Sequence, residues 1–113
     1  MFMFVCLDIY LVIETVKKYI YTHFGDELGV EQLADMVYLA PSYLSTVYKK
    51  DTGQNLSKFI KQYRMEKAKD MLENTNMKIV NISEACGYQN VSYFCQSFRE
   101  CYGVSPQKFR NGI

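Results

Sequence analysis

Residues 82–103 read ISEACGYQNVSYFCQSFRECYG, and residues 33–53 read LADMVYLAPSYLSTVYKKDTG. One pattern runs through both. The first copy has Leu33-Ala34-Asp35-Met36-Val37, a turn, Ser42-Tyr43-Leu44, then Val47-Tyr48-Lys49-Lys50 and Gly53. The second has Ile82-Ser83-Glu84-Ala85-Cys86, Gly87-Tyr88, Ser92-Tyr93-Phe94, then Ser97-Phe98-Arg99 and Gly103. Ser42 stands 50 residues before Ser92, and Gly53 stands 50 before Gly103, while the turns differ by one residue. In each copy the apolar positions sit at helical spacing on either side of a tight turn, which predicts two short helices.

Such a pair is a helix-turn-helix unit, whose second helix can enter a DNA major groove. Between the copies, Asn55 can cap a long helix running to about Asn74. Leu56, Phe59, Ile60, Tyr63, Ala68, Met71 and Leu72 line its inner side, and Lys58, Lys61, Lys67 and Lys69 its outer side. Arg64, among apolar neighbours, is expected in an internal ion pair. Ahead of the first copy, Val12, Val16, Ile20 and Phe24 recur at four-residue steps and predict a helix over about 8–24, broken by Gly25 and Asp26. Residues 30–37 form the second helix, with Leu33, Met36 and Val37 inward. Pro41 opens the third, Leu44, Val47 and Tyr48 give its buried stripe, and Gly53 ends it with a left-handed cap. Ile79, Ile82 and Cys86 mark a fifth helix. Asn90 caps a sixth with Phe94, Phe98 and Cys101 inward, and Ser105-Pro106 opens a last turn that buries Phe109. The chain is therefore expected to be all-α, with about seven helices in two homeodomain-like helix-turn-helix subdomains. The expected division is a linker end over 1–9, a first subdomain over 10–54, a connecting helix over 55–74 and a second subdomain over 75–113.

Length and composition fit this. The chain has 113 residues, 49% of them hydrophobic and 22% charged, enough for one compact domain or two small lobes. Its net charge is only +1, but unevenly spread. Residues 1–41 carry two basic and six acidic side chains, and residues 42–113 carry eleven basic and six acidic. That asymmetry suits one anion-facing side. The four cysteines form no C-x-x-C pair and the single histidine, His23, is remote from them, so buried free thiols in a reducing cytosol are expected in place of a metal site. The apolar start, Met1–Ile13, carries Asp8 and has no basic flank. It is too short to span a bilayer and lacks a secretion leader. The expectation is a cytoplasmic protein with no membrane segment and no cofactor.

The run Ser42-Tyr43-Leu44, Tyr48-Lys49-Lys50, Thr52-Gly53, Arg64 to Leu72, Ile82 to Tyr88, Ser92-Tyr93-Phe94, Phe98-Arg99, Gly103 and Ser105-Pro106 resembles the DNA-binding domain of the AraC/XylS transcription regulators of bacteria. The resemblance covers about residues 10–110. It implies a transcription regulator that binds double-stranded DNA, with base-reading positions at Ser42, Ser45 and Thr46. Members of that family usually carry a second domain, which does not fit into 113 residues, so the resemblance implies either a short regulator acting alone or the C-terminal part of a longer one with an N-terminal sensor or receiver domain. Activation would call for a surface that contacts RNA polymerase, and no residue pattern identifies one.

The residues themselves support a DNA-facing role. Two recognition helices reading one face of B-DNA sit about 34 Å apart. A 20-residue spacer helix over 55–74 spans roughly 30 Å at about 1.5 Å per residue. In the first recognition helix Ser42, Tyr43, Ser45, Thr46 and Lys49 are left on the outer side. Serine hydroxyls can bond base edges, and the Thr46 methyl can touch a thymine methyl. In the second, Val91, Ser92, Cys95, Gln96 and Arg99 face outward beside the capping Asn90. Gln96 can bridge adenine, and Val91 or Cys95 can pack on a thymine methyl. Lys49, Lys50 and Arg99 suit phosphates, which position a protein without specifying sequence. Tyr43 and Tyr93 hold equivalent places, either packed at the edge of their units or touching the DNA backbone.

Two positions depart from the family pattern. Tyr38 stands where glycine is usual in the first turn. A bulky residue disfavours positive φ there, so a different turn geometry and a tilted first recognition helix are expected. Ala40 replaces the usual capping serine. With the low net charge, these predict modest, strongly salt-dependent affinity. They also leave a second reading, an all-helical protein-interaction module that has kept the fold without binding DNA. Against it, an interaction groove would expose apolar anchors where these helices show polar faces. One histidine, no acid–base pair and no glycine-rich phosphate loop leave no enzyme to assign.

Overall fold

The computed structural model describes residues 8–112. Seven helices and no strand are present among them: α1 Ile9–His23, α2 Val30–Met36, α3 Pro41–Thr52, α4 Leu56–Asn74, α5 Ile79–Ala85, α6 Val91–Tyr102 and α7 Pro106–Arg110. The all-α expectation holds, and the predicted helix ends agree to within a residue or two. Most of the segment read as a linker end lies outside the described residues.

All seven helices follow the apolar periodicity, and four of them, α1, α4, α6 and α7, also start at a side-chain cap. Asp8 accepts from the Leu11 N–H at 3.3 Å and starts α1. Asn55 Oδ1 accepts from Lys58 N at 3.2 Å and starts α4, and Ser105 Oγ accepts from Lys108 N at 3.2 Å and starts α7. Gly53 and Gly103 close α3 and α6 at φ 79° and 83°, each returning its N–H to a carbonyl four residues back at 2.7 Å. Glycine reaches that left-handed backbone without strain.

Two compact units result. The first comprises the chain up to His23 and Leu28–Ile60; the second comprises Phe24–Glu27 and the chain from Lys61 onward. The division falls inside α4. In the first unit α3 packs on α1 and α2. Val12, Ile13, Val16 and Ile20 of α1, Leu33 and Ala34 of α2, Leu44 and Tyr48 of α3, and Leu56 and Ile60 of α4 are buried. Met36 and Val37, expected inward, are only half-buried, and the small Ala34 takes the inner position.

In the second unit the core is Met65, Ala68, Leu72, Ile82, Cys86, Tyr88, Phe94 and Phe98. Phe109 stacks edge-on against Phe98 at 5.6 Å. Cys101, expected inward, is exposed. The end of α6 is closed instead by Tyr102, whose ring lies 4.7 Å from that of Phe98. Burial pushes the Cys86 thiol up to about 11, so it stays a neutral apolar group at physiological pH.

Two arginines tie loops to helices in this unit. Arg64 forms no ion pair among the described residues. Its guanidinium donates to the carbonyls of Phe24 at 2.9 Å and Asp26 at 2.7 Å, and lies 5.9 Å from the Tyr88 ring centre. The expected acidic partner is replaced by backbone oxygens that the chain brings back from about forty residues earlier. Arg110 donates to the carbonyls of Met71 and Leu72 in the last turn of α4 and to those of Thr75 and Met77 in the loop that follows it, so one cation serves both the helix end and the loop. Two lysines of α4 lie over aromatic rings. Lys67 Nζ lies 5.8 Å from the Phe24 ring and 5.6 Å from the Tyr63 ring, and Lys69 Nζ lies 5.5 Å from the Tyr102 ring.

Candidate nucleic-acid interface

Each unit builds its turn by the same hydrogen bonds. After α2, Tyr38 N–H donates to Asp35 O at 3.2 Å and Leu39 N–H to Ala34 O at 3.0 Å. After α5, Gly87 N–H donates to Glu84 O at 3.0 Å and Tyr88 N–H to Ser83 O at 3.0 Å. This reciprocal pair of bonds reverses the chain around one left-handed residue. That residue is Gly87, φ 87°, in the second unit and Tyr38, φ 59°, in the first. Tyr38 is the one non-glycine residue with positive φ among those described. The expectation of a different first turn is therefore corrected: both turns share one geometry, and Tyr38 carries the strain. It can, because its side chain points into open solvent, 94% exposed.

In the first unit the turn delivers α3. Ala40 is its N-cap and offers no side-chain bond, and Pro41 takes the first helical position. Leu44 and Tyr48 are fully buried, which fixes the rotation of the helix. Ser42, Tyr43, Thr46, Lys49 and Lys50 are then exposed, and Ser45 is half-buried. Thr46 Oγ1 donates to Ser42 O at 2.9 Å, so its hydroxyl turns back on the helix and its methyl is the group left to face outward. Lys49 and Lys50 lie in the last turn, where the helix dipole favours cations.

In the second unit α6 is better anchored. Asn90 Oδ1 accepts from Tyr93 N at 3.1 Å, which uses its acceptor and leaves its amide N–H groups for another partner. Phe94, Ser97 and Phe98 are buried. Val91, Ser92, Gln96 and Arg99 are exposed, and Cys95 is half-buried. Tyr93 is 56% exposed and leans on Tyr88, the ring centres 5.8 Å apart. Its counterpart Tyr43 is 48% exposed. Thus six of the predicted residues gather on α3 in one unit and six at the start and outer side of α6 in the other.

Sequence reasoning passed over one acidic residue on the second face. Glu100 Oε2 accepts from Gln96 Nε2 at 3.5 Å, and Glu100 Oε1 lies 3.5 Å from Lys61 Nζ. The four-residue step from Gln96 to Glu100 was readable as a helix-surface pair. The reach of Lys61 was not. The two faces offer hydroxyls, an amide, small apolar groups and cations, which is equipment for contacting bases and phosphates.

Residues 33–112 match the family model described as a helix-turn-helix domain. The regulatory protein PocR of Salmonella typhimurium is 36% identical over 96 residues, covering 85% of this chain and 32% of PocR. The chain spans about a third of the length of the first relatives it matches. Among solved structures, the C-terminal domain of AraT, a response regulator from Geobacillus stearothermophilus, superposes with a TM-score of 0.87 at 32% identity, covering 90% of this chain and 85% of that one. The DNA-binding domain of AdpA, solved with a target DNA, superposes with a TM-score of 0.84 at 21% identity, covering 88% of this chain and 90% of that one; this second likeness concerns the fold.

Proposed function

Because the chain belongs to the helix-turn-helix family of the AraC/XylS type, we propose that it is the DNA-binding part of a bacterial transcription regulator, working in the cytoplasm and reading two successive major-groove segments. The observation that carries this reading is the duplicated turn. Two units with the same hydrogen-bonded reversal each present one recognition helix whose inner side is locked by aromatic and aliphatic residues. The outer sides carry exposed polar and cationic groups, Ser42, Thr46, Lys49 and Lys50 on α3 and Ser92, Gln96 and Arg99 on α6, beside the exposed Tyr43, Val91 and Tyr93.

The roles follow from chemistry. Ser42, Ser45 and the Thr46 methyl meet base edges in the first half-site. Gln96, Val91 and Cys95 do so in the second, with Gln96 bridging an adenine. Lys49, Lys50 and Arg99 bind phosphates, helped by Ser92, Tyr43 and the free amide of Asn90. No helix among the described residues is long and apolar enough to cross a membrane. The regulator would be completed by a sensor or receiver domain, and an activator would also engage RNA polymerase.

Substituting Gln96 and Arg99 together by alanine tests the reading. Fluorescence anisotropy on a duplex selected by the parent chain should show at least a tenfold loss, with helicity by circular dichroism unchanged. Unchanged affinity would favour the protein-interaction alternative.

A further inference from the structure

We propose that Glu100 is a positioning residue for base readout, holding the Gln96 side-chain amide in the orientation that reads adenine. This rests on the DNA-binding reading above and goes one step further, to what sets the preference of the second half-site.

Glu100 follows Gln96 by one helical turn on α6, and both side chains are exposed. Its carboxylate stands where general electrostatics disfavour it. A negative charge in the last turn opposes the helix dipole, and it flanks a face meant for a polyanion. Lys61 offsets that charge from α4, with Nζ 3.5 Å from Oε1. The other oxygen, Oε2, accepts from Gln96 Nε2 at 3.5 Å.

The consequence lies in the amide. Gln has one acceptor oxygen and two N–H donors on Nε2. With one N–H given to Glu100, the second N–H and Oε1 remain side by side. That is the donor–acceptor pair that matches N7 and the N6 amino group of adenine. Flipping the amide would turn Oε1 toward the carboxylate and set two acceptors against each other. Glu100 thus selects one of two otherwise similar rotations. In the free protein the contact is long and solvated. In a groove from which water is excluded, the same pair interacts more strongly.

The test measures discrimination at single base pairs. The parent chain, Gln96→Ala, Glu100→Ala, Glu100→Gln and the Gln96→Ala/Glu100→Ala double variant are titrated against a duplex selected by the parent and its single-base variants. Circular dichroism checks folding. The expected result is that Glu100→Ala and Glu100→Gln lose about tenfold in discrimination at the base pair where Gln96→Ala loses it. The double variant should lose no more than Gln96→Ala alone. Three results overturn the proposal: equal tightening on every duplex, which makes Glu100 a mere repeller of phosphates; loss at a different base pair, which makes it a direct reader; or no change. Loss of no base preference in Gln96→Ala also overturns it. A parent chain that prefers no duplex overturns the DNA reading itself, a separate and recognisable outcome.

Discussion

Tyr38 and Gly87 occupy the same place in the two turns, with φ of 59° and 87°, and close the same pair of backbone hydrogen bonds. What differs is the space around them. A Cβ on Gly87 would lie 2.8 Å from the Arg64 guanidinium carbon and 3.0 Å from Phe24 O, and Arg64 is itself held by two carbonyls. Tyr38 meets solvent. The first turn therefore tolerates a side chain at the expense of strain, and the second cannot hold one.

Tyr38→Gly should stabilise the protein by about 1 kcal/mol, because relief of roughly 1–2 kcal/mol of left-handed strain exceeds the extra flexibility given to the unfolded chain. Gly87→Ala should destabilise by roughly 2–4 kcal/mol, since steric overlap adds to strain. Urea unfolding of both variants checks the asymmetry. Equal and opposite effects of similar size would contradict it.

The two recognition helices begin differently. Ala40 gives α3 no side-chain cap, while Asn90 caps α6 through Tyr93 N. Ala40→Ser should add about 1 kcal/mol, and Asn90→Ala should remove about 1 kcal/mol. Thermal melts followed at 222 nm read both directly.

Tyr48 is fully buried on α3, and its hydroxyl finds no hydrogen-bond partner among the described residues. Burial pushes its ionisation well above the usual phenol range. An unsatisfied buried hydroxyl costs about 1–3 kcal/mol, so Tyr48→Phe should be neutral or stabilising by about 1 kcal/mol. A clear loss of stability in chemical denaturation would show that the hydroxyl does have a partner.

Cysteine reactivity should follow burial. Of the three cysteines among the described residues, Cys101 should label fastest with a maleimide at pH 7.5, Cys95 more slowly, and Cys86 only on unfolding, as read by peptide mass spectrometry. The Cys86 thiol is raised from 9.0 to about 11, first of all by burial. Its folded form thus favours the neutral thiol. That contribution is fully present below about pH 9 and is lost as pH rises toward 11, so urea midpoints should fall over that window.

Much of the fold was legible because long aliphatic and aromatic residues repeat at helical spacing. Leu44 with Tyr48 and Phe94 with Phe98 mark the inner faces of α3 and α6, and the outer faces follow by elimination. The failures have physical causes. Ala34 is too small to stand out in a hydrophobic stripe, yet it lies buried in α2 beside Leu33. The stripe of α6 continues on paper to Cys101, but Tyr102 closes the core first. Propensity argued against a left-handed Tyr38, and a pair of hydrogen bonds overrode it. The apolar neighbours of Arg64 along α4 suggested an internal ion pair but could not show that carbonyls of Phe24 and Asp26 would meet it. In the candidate interface, Glu100 was readable as a partner of Gln96, whereas its contact with Lys61 depends on tertiary folding.

Readout of two successive grooves is tested by offering the chain a pool of random fluorescent duplexes at about 50 and 200 mM salt and sequencing the bound fraction. Two recognition helices should enrich an asymmetric site with two boxes about 10 base pairs apart, bound much more weakly at the higher salt. A folded chain that retains no duplex at the lower salt would contradict that readout.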